Sequence, residues 1–200
     1  LNQIDILLIT TEQFMRYFTG FSTQFWQSPT RSWYLIIPIK GLPKAVIPDI
    51  GFSAMQKTWI KEIYTWPSPR PKDEGISLIS KLMNEFPSKF NYVGAELGKE
   101  MSLRMPLTDF FFLQSTLSRK IIDASSILWE LRLIKSNAEI DKIKHICKIA
   151  SNSFENLPSL INKGDSERDI ARKMKIDLIS RGADSIPYLP VISGRGGVSQ

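Results

Sequence analysis

With 200 residues, 42% of them apolar and 23% charged, the chain has the make-up of a globular protein with one large domain or one and a half average ones. The net charge of +6 is the small difference between 26 basic and 20 acidic residues. The basic stripe Lys163, Arg168, Arg172 and Lys175 reads as a solvated helical face, so nucleic acid is not an expected partner. No window approaches the roughly 20 apolar residues of a membrane span. No signal peptide is seen, and the single cysteine, Cys147, excludes an intrachain disulfide and suits a reducing compartment. A cytoplasmic protein without a membrane partner is expected.

The continuous aliphatics of Ile4–Ile9 predict a buried strand. Thr10 or Thr11 can cap a short helix that runs through Phe18 and ends at Gly20. Trp33 to Ile39 and Ala45 to Ile50 predict an antiparallel hairpin around the turn Lys40-Gly41-Leu42-Pro43. A short helix over Ser53 to Thr58 and a strand over Ile60 to Thr65 follow. Pro67, Pro69 and Pro71 mark a loop. Ile76, Ile79, Leu82, Met83 and Phe86 form a helical face, Asn91 to Ala95 a strand, Pro106 to Leu117 a helix, and Lys120 to Asp123 a last strand. This alternation predicts an α/β domain over residues 1–123, a mixed sheet flanked by helices.

Beyond Asp123 the pattern turns helical. Ser125 to Leu133 reads as a linker helix. Ser136 and Glu139 have capping-box spacing, and Ile140, Ile143, Ile146, Cys147, Ala150 and Phe154 then share one stripe, which places the thiol on an apolar side. Ser166 and Asp169 form a second, weaker box, and Gly182 sits where a helix-ending glycine belongs. Tyr188 to Ser193 reads as a strand leading into a glycine-rich segment. Two helices and a strand are the expected opening of a second domain, residues 124–200, left incomplete at Gln200.

No complete catalytic set emerges from the residues. His145 has Asp141, Lys142, Lys148 and Ile149 at helical spacing, which is not a metal-ligand set. There is no nucleophile elbow, no phosphate loop and no strand-loop-helix dinucleotide motif. Glu96, Glu100, Asp109 and Asp123 are scattered carboxylates. The loop Trp26-Gln27-Ser28-Pro29-Thr30-Arg31-Ser32-Trp33 is unusual in carrying two tryptophans and an arginine between two core elements. Trp33 belongs with the following strand. For Trp26, packing on its own domain and contact with something else both remain open.

Three stretches together resemble the creatinase/prolidase-type metallopeptidases, the Xaa-Pro peptidase group with a pita-bread catalytic domain. They are the turn Tyr17-Phe18-Thr19-Gly20-Phe21, the joint from Glu130 to Ile140 (ELRLIKSNAEI), and Ile192 to Gly197 following Arg181-Gly182-Ala183. The resemblance implies that residues 1–123 are the N-terminal domain and that 124–200 begin the α+β pita-bread domain. It implies two divalent metal ions (Mn, Co or Zn) held by two Asp, one His and two Glu, all downstream of the glycine-rich turn. No metal is therefore expected on residues 1–200, no catalytic residue is assigned here, and these residues alone are expected to be inactive. The family's first substrate-side histidine would fall at or just past Gln200.

The activity implied for the whole protein is hydrolysis of the bond before proline in a small peptide, by an aminopeptidase or dipeptidase. Creatinase-like hydrolysis of a small C–N compound and a non-catalytic dimerisation or binding scaffold are the alternatives. The resemblance also implies a homodimer in which the loop after the TGF turn reaches the partner's substrate pocket. By that likeness Phe25, Trp26 and Arg31 line the pocket, with Arg31 clamping a substrate carboxylate.

Overall fold

The computed structural model describes residues 3–28 and 31–194. The glycine-rich segment from Arg195 onward and the histidine position at Gln200 lie outside the described residues. The chain folds as two compact units, residues 1–133 and 134–200.

The first unit is an α/β layer structure. Its strands are β1 (Ile6–Ile9), β2 (Tyr34–Pro38), β3 (Lys44–Pro48), β4 (Glu62–Trp66), β5 (Tyr92–Ala95) and β6 (Lys120–Asp123). They form one mixed sheet in the order β4-β3-β2-β1-β5-β6. β2 runs antiparallel to both β1 and β3, whereas β3/β4, β1/β5 and β5/β6 are parallel. The helices are α1 (Glu12–Thr19), α2 (Phe52–Met55), α3 (Ile76–Asn84), α4 (Leu107–Thr116) and α5 (Ser125–Leu133).

Because strand side chains alternate, each strand feeds both faces of the sheet. Ile6, Leu8, Tyr34, Ile36, Val46 and Val93 pack with Ile79, Met83 and Leu113 of α3 and α4. Ile9, Leu35, Ala45 and Ile47 pack on the other face with Phe14, Met15, Trp26, Met55 and Leu128. Leu128 is fully buried in that second cluster, so α5 lies inside the first unit and not with the residues that follow it.

A carboxylate holds each end of β1. Below the strand, Asp5 accepts N–H groups from Lys89 (2.8 Å), Phe90 (3.0 Å) and Asn91 (2.7 Å) and the Ser88 hydroxyl (3.1 Å). Burial by itself pushes the Asp5 carboxyl up, but these donors prevail and hold it below the usual range. Arg119, equally buried, comes within 3.9 Å and donates to the Met83 and Phe86 carbonyls. Above the strand, Glu96 performs the corresponding role.

The second unit contains α6 (Asn137–Leu160) and α7 (Glu167–Ser180), each opened by a complete capping box, at Ser136/Glu139 and Ser166/Asp169. Its small core joins Ile149 of α6 to Met174, Leu178 and Ala183. Two expectations fail here. Cys147 is exposed and not buried, as are Ile140, Ile143, Ile146 and Phe154, because α7 meets α6 along the line Ile149–Ser153, rotated from the apolar stripe. Tyr188 to Ser193 forms no strand, and Tyr188 is exposed. No other strand exists among the described residues of this unit to accept its backbone hydrogen bonds.

Candidate functional site

The loop after α1 owes its path to the TGF turn. Gly20 adopts a left-handed conformation (φ +74°) that closes the helix through its N–H to the Arg16 carbonyl. The Thr19 hydroxyl donates to the Met15 carbonyl (2.6 Å) and accepts the Phe21 N–H (2.9 Å). Phe21 thereby drops into the core against Trp33, with ring centroids 5.3 Å apart. Thr23 then caps a 3-10 turn at Gln24–Gln27 by accepting the Phe25 N–H.

Around that turn the sequence-assigned residues part company. The Trp26 ring is 5% exposed and packs on Trp33 at 5.5 Å, so it forms part of its own domain's core. Phe25 points outward and is 38% exposed. Arg31 is half-buried and lines an open pocket of about 550 Å³ with Ser28, Asp73, Glu74, Pro106 and Asp109. The structure therefore does not join all three in one wall.

The pocket is acidic. Glu74 accepts from Trp66 Nε1 (2.9 Å), Ser68 Oγ (3.0 Å) and the Arg70 N–H (2.7 Å). Burial raises its carboxyl, but these donors, helped by the Arg31 charge, hold it below the usual range. Asp109 is pushed up, first by burial and then by the negative charges of Asp73 and Glu74. Asp73 also accepts the Ser77 N–H at the start of α3.

Behind the loop lies a polar chain that sequence reading missed. Arg104 lays its guanidinium over the Trp26 ring, 4.8 Å from the centroid, and its Nη2 donates to the carbonyls of Trp26 and of Ser28 (2.8 Å). The Arg104 backbone N–H donates to Thr10 Oγ1 (2.9 Å). That hydroxyl in turn donates to Glu96 (2.9 Å), which also takes the N–H groups of Thr10 (2.7 Å) and Thr11 (3.2 Å) and the Thr11 hydroxyl. Thr11 occupies the cap position of α1, yet its side chain makes no cap bond; Glu96 supplies the negative charge instead. Glu96 is fully buried, and burial outweighs the threonine donors, so its carboxyl titrates above the usual range. Its partners lie 85 and 86 residues away, beyond the reach of any local motif.

No group of three or more His, Cys, Asp or Glu among the described residues can hold a metal ion. No helix of the described residues is long and apolar enough to cross a membrane. What the arrangement offers is a loop braced from behind, with Phe25 exposed at its 3-10 turn and Arg31 lining the acidic pocket.

Residues 2–134 match the creatinase/prolidase N-terminal domain. The chain belongs to that family. Among curated relatives, it is 27% identical over 192 residues to the uncharacterized peptidase YqhT of Bacillus subtilis, covering 95% of this chain and 49% of that one. It is 22% identical over 167 residues to the probable dipeptidase PepE of Mycobacterium tuberculosis, covering 82% and 41%. The chain thus spans about half the length of the curated relatives it matches. Its fold is that of the solved prolidase from Thermococcus sibiricus (TM-score 0.78, 21% identity, 94% of this chain and 49% of that one). It likewise matches the X-Pro aminopeptidase from Thermotoga maritima (TM-score 0.72, 22% identity, 92% and 49%). In this creatinase/prolidase N-terminal domain, the TGF turn, the 3-10 turn and the Arg104 brace all converge on one loop.

Proposed function

We propose that the protein carrying this chain is an Xaa-Pro peptidase of the cytoplasm, acting as a homodimer on small peptides. In this reading the present residues form the domain that closes the partner's substrate pocket. The observation that carries it is the loop itself: a creatinase/prolidase N-terminal domain that buries Trp26 as an anchor, exposes Phe25 and sets Arg31 on an open pocket. The names of the relatives, a probable dipeptidase and an X-Pro aminopeptidase, support the substrate class. In this reading the two divalent ions of such a peptidase are held by residues other than those described, among which no group of three or more His, Cys, Asp or Glu could hold a metal. The contribution of this chain is recognition. Phe25 gives the pocket an apolar wall, and the Arg31 guanidinium offers paired N–H donors to a substrate carboxylate, the geometry in which arginine exceeds lysine.

The test uses the full-length protein supplied with Mn²⁺ and a series of Xaa-Pro dipeptides. Arg31→Ala and Phe25→Ala are each expected to raise KM with a smaller change in kcat. Turnover of Xaa-Pro peptides with KM unmoved by either substitution would remove the loop from the substrate site. Absence of turnover by the unaltered protein would remove the peptidase reading.

A further inference from the structure

We infer that Arg104 is the positioning residue of the substrate-facing loop, an inference that rests on the reading of that loop given above. The first ground is an energetic anomaly. Arg104 has no carboxylate within ion-pairing distance among the described residues, and its Nη1 is buried without a hydrogen-bond partner there. Burial disfavours its charge, and only Glu12 opposes that from a distance. The desolvation of this half-buried cation is offset by no contacting carboxylate among the described residues, only by the two carbonyls it bonds and the ring it covers. The residue's benefit must therefore lie in what it orients.

The second ground is what the guanidinium holds. Nη2 donates to two carbonyls, those of Trp26 and Ser28, which bracket the end of the 3-10 turn. The Ser28 N–H already returns to the Phe25 carbonyl (3.1 Å). Between them these bonds fix the turn that presents Phe25 as far as Ser28. The guanidinium plane on the Trp26 ring sets the depth of the turn over the core. At its other end Arg104 is tied through its own N–H to Thr10, and through Thr10 to Glu96 at the end of β5. The loop is thus tied through Arg104 and Thr10 to the carboxylate at the end of β5. A loop ordered before substrate arrives does not have to be ordered by substrate, so the brace acts on affinity.

The experiment compares Arg104→Met and Arg104→Lys in the full-length protein. Methionine keeps the apolar stem over Trp26 and removes every donor; lysine keeps a charge and can reach one carbonyl. Two readouts are taken. The first is KM and kcat on an Xaa-Pro dipeptide. Ordering one loop residue on binding raises KM roughly tenfold, with kcat little changed, and lysine recovers part of the loss. The second is the rate at which trypsin cuts the Arg31–Ser32 bond. That bond is protected while Ser32 stays buried, at 2% exposure, and is cut faster once the loop is loosened. Unchanged cleavage in Arg104→Met overturns the inference whatever KM does. Faster cleavage with KM unmoved by Phe25→Ala and Arg31→Ala keeps Arg104 as the loop's brace and defeats the substrate reading of the loop. Faster cleavage with Phe25→Ala and Arg31→Ala raising KM but Arg104→Met leaving it unchanged overturns the link to affinity.

Discussion

Replacing Trp26 by alanine separates an anchor from a pocket wall without any enzyme assay. The ring is 5% exposed, stacked at 5.5 Å on Trp33 and covered by Arg104 at 4.8 Å. Truncating a buried tryptophan costs about 3–5 kcal/mol. Within that total the ring–ring contact accounts for about 0.5–1.5 kcal/mol, and the guanidinium contact for about 0.5–2 kcal/mol. Trp26→Phe is an internal control: it keeps a ring in place and removes the Nε1 donor, which is buried without a partner among the described residues. Leaving out an unsatisfied donor offsets about 1–3 kcal/mol, so this variant should lose less than half of what Trp26→Ala loses. Phe25→Ala, on an exposed ring, should stay under about 1 kcal/mol. Urea unfolding of the chain, followed by far-ultraviolet circular dichroism with slopes compared among variants, measures all three. A loss below about 1 kcal/mol for Trp26→Ala, or a loss for Phe25→Ala equal to it, would show that the assignment of core and front is reversed.

Two further outcomes are expected. Asp5→Asn keeps one acceptor oxygen but sets an amide NH2 donor against the partners of the other, and it leaves Arg119 buried without its counter-charge, at a cost of about 3 kcal/mol. Because Asp5 is held below its ordinary value of 3.8, its stabilisation is complete above that pH and is lost as pH falls through the lower folded value. The variant's midpoint should therefore fall less than wild type's on acidification, and parallel acid profiles would contradict this. Gly75→Ala puts a Cβ 2.5 Å from the Trp66 ring at φ +82°, whereas Gly164→Ala at φ +99° meets nothing. Losses of about 3–5 kcal/mol and about 1–2 kcal/mol respectively are expected from thermal melts, and equal losses would mean that Trp66 yields to the new methyl.

The secondary structure was legible where the signal is local. An aliphatic run marked β1, the apolar face from Ile76 to Met83 marked α3, and Ser136 with Glu139 marked the start of α6. The mixed sheet followed from the alternation of elements. The expected strand at Tyr188 to Ser193 looked as strong as β5 by composition, but strand character needs a neighbour, which no short window contains. The stripe containing Cys147 failed similarly, because which face of α6 is covered depends on how α7 arrives. At the candidate site the turn Thr19-Gly20 could be read, and the exposed fate of Phe25 could not. Glu96 and Arg104 carried no signal at all: one reads as a stray carboxylate and the other enters no motif until the fold brings Thr10 between them.

Asp5 and Glu96 lie just beyond opposite ends of β1, and each grips backbone or hydroxyl groups across the β1/β5 seam. A parallel pair of short aliphatic strands offers little of its own to stop one strand sliding past the other, and a slip of one residue would turn Leu8 and Ile9 to the wrong faces. Here such a slip would tear both carboxylates from their donors at once. The two acids therefore act as end-stops that index the middle of the sheet, and the loop hung from Thr10 inherits that alignment.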